Sequence, residues 1–142
     1  MDTTPFVIER TLNAPINRVW EALTDRDKMA KWYFELDRFE PVVGFEFSFT
    51  GGSEQQTYVH LCQVTAVEFE KKLSYTWCYE GYAGNSEVIF ELVAEGDKTH
   101  LTLTHKGLHS FAENGPDFAK ECFAAGWTEL VGNLLPKYVE TP

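Results

Sequence analysis

The sequence predicts a single α+β domain in which helices cover one face of an antiparallel sheet. Three features carry that expectation. Between Gly44 and His105, successive segments alternate apolar and polar residues, the period of a half-buried strand. The breaks between these segments ("FEKK", "EGYAGN", "EGD") are too short for crossover helices, so consecutive strands should pair antiparallel. Helical spacing of large apolar residues is confined to the stretch before Gly44 and to the end of the chain. The 142 residues make one ordinary domain, able to bury a core without disulfides or metal.

"PFVIERTL" (5–12) has strand composition, with Phe6 and Ile8, and Arg10 at the margin, facing one way and Val7 and Glu9 the other. In "NAPINRVWEALTD", Asn13 can cap a helix, Pro15 suits its first turn, and Ile16, Val19, Trp20 and Leu23 fall on one face. Asp25 then caps a second short helix, "RDKMAKWYF", with Met29 and Trp32 inward. Phe45, Phe47 and Phe49 alternate with Glu46 and Ser48 in "GFEFSFT", and "GGS" (51–53) reads as a turn. "TYVHLCQVTAVEF" (57–69) is a long strand with no strongly polar face, so its register stays open. The next three strands carry clear alternation: Leu73, Tyr75, Trp77 and Tyr79; then Val88, Phe90 and Leu92; then Leu101, Leu103 and His105. "KGLHSFAENGP" (106–116) reads as a loop.

The last element, about Asp117 to about Glu140, is expected to be a helix about 36 Å long, enough to cross the sheet. Its apolar stripe is Phe123, Trp127, Leu130, Val131, Leu134 and Tyr138. Yet it contains Gly126, Gly132 and Pro136, which each weaken a helix interior. Pro136 would press on the carbonyl of Gly132, so a bend is expected near 132–136. A bent helix need not lie flush on a sheet, and the expectation is a cavity lined by Trp127, with Gly126 leaving room at its wall.

Composition limits the partners. The 12 basic and 22 acidic residues give a net charge of −10, which repels phosphate backbones and anionic membrane surfaces. The three cysteines, Cys62, Cys78 and Cys122, are scattered and read as free thiols in a reducing compartment. No signal-peptide pattern opens the chain and no apolar run reaches membrane-span length, so the expectation is a soluble cytoplasmic protein, monomeric or weakly dimeric.

The segments "APINRVWEALTDRDKMAKWY" (14–33), "GFEFSF" (44–49), "LSYTW" (73–77), "THLTLTHKGL" (99–108) and "GWTELVGNLL" (126–135) together resemble the family of activators of heat-shock protein 90 ATPase (AHSA-like). That family belongs to the START-related, or SRPBCC, helix-grip superfamily, which also holds lipid-transfer domains and polyketide cyclases. The resemblance spans almost the whole chain. It implies a curved antiparallel sheet of six or seven strands gripping a long C-terminal helix, with a ligand cavity between them. The chain departs from the family at "HSFAENGPDF" and at Pro136, and an altered cavity mouth is the expected consequence. The separate N-terminal domain of the full-length co-chaperone also has no counterpart in these residues.

Catalytic and metal chemistry find little support. His60 and Cys62 share a strand face but sit roughly 6.6 Å apart along it, too far for a nucleophile–base bond. "HKGLH" places His105 and His109 at H-x3-H spacing, yet Gly107 and the strand end argue against a helix, so no metal site and no cofactor are expected. The aromatic rows exceed what a filled core needs. The expected ligand-pocket lining is Trp32, Phe47, Phe49, His60, Tyr75, Trp77, Phe90, Leu103, His105, Phe123, Trp127 and Leu130. A binding protein for a small hydrophobic or aromatic molecule is favoured over two alternatives. One is a cyclase- or hydratase-like enzyme using His60, His105 or a tyrosine; the other is an interaction module for a chaperone or other protein.

Overall fold

The computed structural model describes residues 3–52 and 57–140. Strand β1 (Phe6–Leu12) leads into helices α1 (Ile16–Thr24) and α2 (Arg26–Met29). Strands β2 (Glu46–Gly52), β3 (Thr57–Glu68), β4 (Lys72–Tyr79), β5 (Ser86–Glu95) and β6 (Lys98–Lys106) then run as an antiparallel meander. β1 closes against β6, giving a six-stranded sheet in the order β1-β6-β5-β4-β3-β2. The C-terminal helix begins as α3 (Lys120–Glu129), passes through a π segment (Leu130–Leu134) and ends as α4 (Leu135–Val139). The predicted α+β arrangement, a curved sheet against a long terminal helix, is the observed one.

The alternation expected from the sequence decides which face is buried. Phe47, Tyr75, Trp77, Phe90 and Leu103 are buried on the helix side, while Ser48 and Glu91 are exposed. The open register of β3 resolves with Phe49 opposite His60, His60 opposite Tyr79 and Val64 opposite Tyr75. A register shift between Val64 and Ala66 bends β3 where it meets β4.

Several local expectations are corrected. Asn13 does not cap α1: Pro15 is the cap residue, and the Asn13 backbone N–H instead meets Glu140 Oε2 at 2.9 Å. Asp25 caps α2 as expected, its Oδ1 accepting from the N–H groups of Asp27 and Lys28. Regular helix then stops at Met29, whose carbonyl accepts from both Trp32 and Tyr33 in a tight turn. Gly51 and Gly52, expected in a turn, continue β2, and the rest of that turn lies outside the described residues. Residues Leu108–Asn114, expected as loop, form a 3₁₀ turn because Leu108 and Phe111, one such turn apart, are both buried.

The C-terminal helix departs most. Its buried residues are Phe123, Trp127, Val131, Leu135 and Val139, every fourth position. Leu134, expected in the stripe, is exposed, while Leu130 and Tyr138 are half-buried. In an uninterrupted α-helix, each step of four residues rotates the side chain about 40°, so four such steps would carry the row about 160° around the axis. The π segment inserts a wider turn and keeps the row on the sheet. Its cause is Pro136, which has no N–H for the Gly132 carbonyl. The Leu135 N–H bonds Leu130 O instead, and Pro136 then sits in the first turn of α4, where its missing donor costs nothing. Gly132 has a second use. A Cβ there would lie 3.1 Å from Arg10 Nη2, so the glycine lets Arg10 of β1 lie against the helix.

This register predicts an asymmetry between neighbours. Leu135→Ala should destabilise the fold by about 2–5 kcal/mol, the range for a fully buried leucine. Leu134→Ala should cost well under about 1 kcal/mol. Chemical denaturation of both variants measures the difference; a larger cost at Leu134 would restore the straight-helix stripe.

Candidate functional site

The helix is held to the sheet by a buried polar chain. The Trp127 indole Nε1–H donates to His105 Nδ1 at 2.9 Å, and His105 Nε2 lies 2.8 Å from Ser86 Oγ. Ser86 Oγ donates to the Trp77 carbonyl at 2.7 Å. Indole N–H is donor only, so Nδ1 must accept, the ring proton resides on Nε2, and Ser86 accepts it. Every atom in the chain is satisfied with His105 neutral. Burial lowers the His105 pKa to about 3. Around this chain Trp127 packs on Tyr33, Trp77 and Phe90, with ring centroids 6.1, 5.6 and 6.0 Å away.

Trp127 is therefore enclosed, with 2% of its surface exposed, and does not line the open space expected beside it. The other inward-pointing polar tips also find partners within the protein. Trp32 Nε1 donates to Ala22 O at 2.8 Å, Trp77 Nε1 to Tyr79 Oη at 2.9 Å, and the hydroxyls of Tyr33 and Tyr75 meet at 2.6 Å. Trp32, Tyr75, Phe90 and Leu103 are packed core. Phe47 packs edge-on against Phe39 and Tyr75.

Open space lies one step further along the helix. A cleft of about 250 Å³ separates the start of α3 from the ends of β2, β3 and β4. Of the expected pocket residues, His60 and Phe123 line it. Tyr58 and Tyr79 join from the sheet, Asp117 and Phe118 from the 3₁₀ turn Pro116–Phe118, and Cys122 and Gly126 from α3. A Cβ built on Gly126 would meet nothing within 4 Å, so this glycine does border empty space. Tyr58 donates to Asp117 Oδ2 at 2.9 Å, a link across the rim from sheet to helix entrance. Desolvation, and after it this hydrogen bond, push the Tyr58 hydroxyl pKa up to about 12.

His60, like Tyr79, is a buried titratable group of the cleft wall. Its ring stacks on Phe49 at 4.5 Å and meets Trp77 edge-on at 4.9 Å. Its Nδ1 lies 3.1 Å from the Tyr58 carbonyl, which can only accept, so Nδ1 carries the proton. Burial lowers its pKa to about 4 against the pull of backbone carbonyls. Cys62, two residues on, is buried with its thiol pushed up by desolvation.

Tyr58 was findable from the sequence, since it shares the period-two face with His60 and Cys62. Phe118 and Asp117 come from "HSFAENGPDF", the stretch already set apart as a departure. A larger depression of about 420 Å³ lies against Ser48, Leu61, Gln63, Thr76 and Cys78, but it is a shallow surface on the outer side of the sheet. Phe49, with Tyr33 and Glu35, borders another, mostly polar hollow beside β2. Among the described residues, no three His, Cys, Asp or Glu side chains gather where they could hold a metal ion, and no helix is long and apolar enough to cross a membrane.

The two buried imidazoles give stability a pH dependence. Both pKa values are depressed, so the stabilisation is complete above about pH 6.5, the unfolded value. It is lost as pH falls toward about 4 for His60 and about 3 for His105, because the unfolded chain takes up protons that the folded chain refuses. The slope is at most about 1.4 kcal/mol per pH unit for each ring. His105→Gln should be less stable than the wild type at pH 7, with the gap narrowing by pH 4.5. Denaturation at both pH values checks this, and a constant gap would contradict a neutral His105.

The fold and most of the chain have relatives. The structure superposes on DynU16, a protein of the dynemicin biosynthetic locus, with a TM-score of 0.79 at 25% identity, over 99% of this chain and 48% of that one. The chain thus spans about half the length of DynU16. It matches protein MLL2253 from Mesorhizobium loti at TM-score 0.77 and 28% identity over 96% of each chain. Protein BH1534 from Bacillus halodurans gives TM-score 0.70 and 31% identity over 96% of this chain and 99% of that one. No curated protein matches the chain. Residues 13–140 match the family described as Activator of Hsp90 ATPase homolog 1-like protein, and the chain, with its helix-grip fold, belongs to that family.

Proposed function

We propose that the protein binds a small, largely aromatic molecule in the cleft between α3 and the sheet, and that it acts as a binding protein rather than an enzyme. The observation that carries this reading is the open space at Gly126, facing a wall of Tyr58, His60, Tyr79, Phe118 and Phe123. Small-ligand sites are few per protein, and a mostly apolar cleft with a small number of polar groups is their usual form. At about 250 Å³ the cleft falls below the ~300–1,000 Å³ of drug-sized ligands, so it suits one or two rings. DynU16, a protein of the dynemicin biosynthetic locus, is in keeping with this class of role.

The preference for binding over catalysis rests on the buried polar groups. Both nitrogens of His105 are already engaged, and the Cys62 thiol is held protonated by desolvation. His60 borders the cleft with its ring neutral and its Nδ1 proton committed to the backbone. Of the three only His60 lines the cleft, and none is placed to relay protons to a ligand there.

Gly126→Leu tests the reading. A Cβ at this position meets nothing within 4 Å, and helix propensity rises. The variant should therefore melt at or above the wild-type temperature while binding 1-naphthalenemethanol at least tenfold more weakly by isothermal titration calorimetry. Native mass spectrometry of freshly purified wild type should show a co-purified small molecule that the variant lacks. Equal titrations for the two proteins would place the ligand elsewhere.

A further inference from the structure

We propose that the cleft selects cationic ligands, a protonated or quaternary amine carried on a small aromatic frame; this rests on the binding reading above. Among the described residues that line the cleft there is one carboxylate, Asp117, and neither lysine nor arginine. Tyr58 occupies one oxygen of Asp117, and a carboxylate offers about four acceptor positions, so capacity remains for an ammonium N–H.

The walls suit the same charge. Tyr58, Tyr79 and Phe118 form a mutually edge-to-face group, with centroids 5.9 Å apart for Tyr58–Tyr79 and 5.0 Å for each of the other two pairs. Ring faces carry negative potential and attract a cation within about 6 Å. His60 remains neutral at physiological pH, so it adds no opposing positive charge. The chain's net charge of −10 raises the local concentration of cations and lowers that of anions. An anionic ligand would face Asp117 with no cationic partner among the described lining residues, whereas a cation finds a carboxylate beside aromatic rings.

The test uses three probes of one shape: 1-naphthylmethylamine, 1-naphthalenemethanol and 1-naphthoate, titrated calorimetrically at pH 7. The amine should bind about tenfold tighter than the alcohol, and the carboxylate weakest. Asp117→Asn keeps an acceptor for Tyr58, so the fold should hold, as circular dichroism would verify. In that variant the amine's advantage over the alcohol should shrink to about twofold. Tyr58→Phe keeps the ring and frees the carboxylate, so it should preserve the preference for the amine. If the alcohol or the carboxylate equals the amine, and Gly126→Leu still weakens all binding, the charge selection is wrong and the binding site stands. If no probe binds, both the site and its selectivity fall.

Discussion

One polar chain sets the position of the C-terminal helix: Trp127 to His105, His105 to Ser86, and Ser86 to the Trp77 carbonyl. An apolar helix face can slide or rotate on an apolar sheet at modest cost. A buried indole N–H cannot, because leaving it unpaired costs the full desolvation of the group. His105 makes the link directional. Its neutral ring offers one donor and one acceptor, and the chain uses both, so the helix has one satisfied rotation and one satisfied height at Trp127. Trp77 belongs to the same unit, since its carbonyl ends the chain and its ring packs on Trp127.

With that point fixed, the rest of the helix must accommodate the sheet in both directions. Toward the C-terminus, Pro136 forces a wider turn, and the π segment returns Leu135 and Val139 to the buried row. Gly132 admits Arg10 on the same stretch. Toward the N-terminus, the side chain that would fill the space beside the anchor is missing at Gly126. The helix entrance is propped instead by Phe118 and by the Tyr58–Asp117 hydrogen bond. The cleft is thus a consequence of fixing the helix at Trp127 while withholding a side chain one residue before it.

Most of the fold was legible because strand alternation is a strong signal. The buried face of β4, with Tyr75, Trp77 and Tyr79, follows from period two alone. The helix register was not legible, because a 3.6-residue wheel assumes an unbroken helix, and Pro136 changes the turn it applies to. The sequence flagged Gly126 and Trp127 together, but it could not separate their roles. A tryptophan beside a glycine can line a void or be locked by a partner, and the partner, His105, lies on a distant strand whose inward orientation was legible but whose hydrogen bonds were not. Tyr58 shares the period-two face of His60 and Cys62, but β3 lacks a polar face to mark which side turns inward. Asp117 and Phe118 escaped notice because a 3₁₀ turn carries no hydrophobic periodicity long enough to read.

The same division of labour explains why a chain rich in aromatic residues has a small cleft. Most rings are used to build the anchor and its surroundings, with their polar tips satisfied internally, and a few at the end of α3 are left with open space in front of them. The most direct measurement is two-dimensional ¹H–¹⁵N chemical-shift mapping during titration with 1-naphthalenemethanol. The largest shifts should fall on the amides of Tyr58, His60, Phe123 and Gly126, with the Trp127 indole resonance nearly unmoved. Dominant shifts at Ser48, Leu61 and Thr76 on the outer sheet face, or at the Trp127 indole itself, would contradict an anchored helix beside an open cleft.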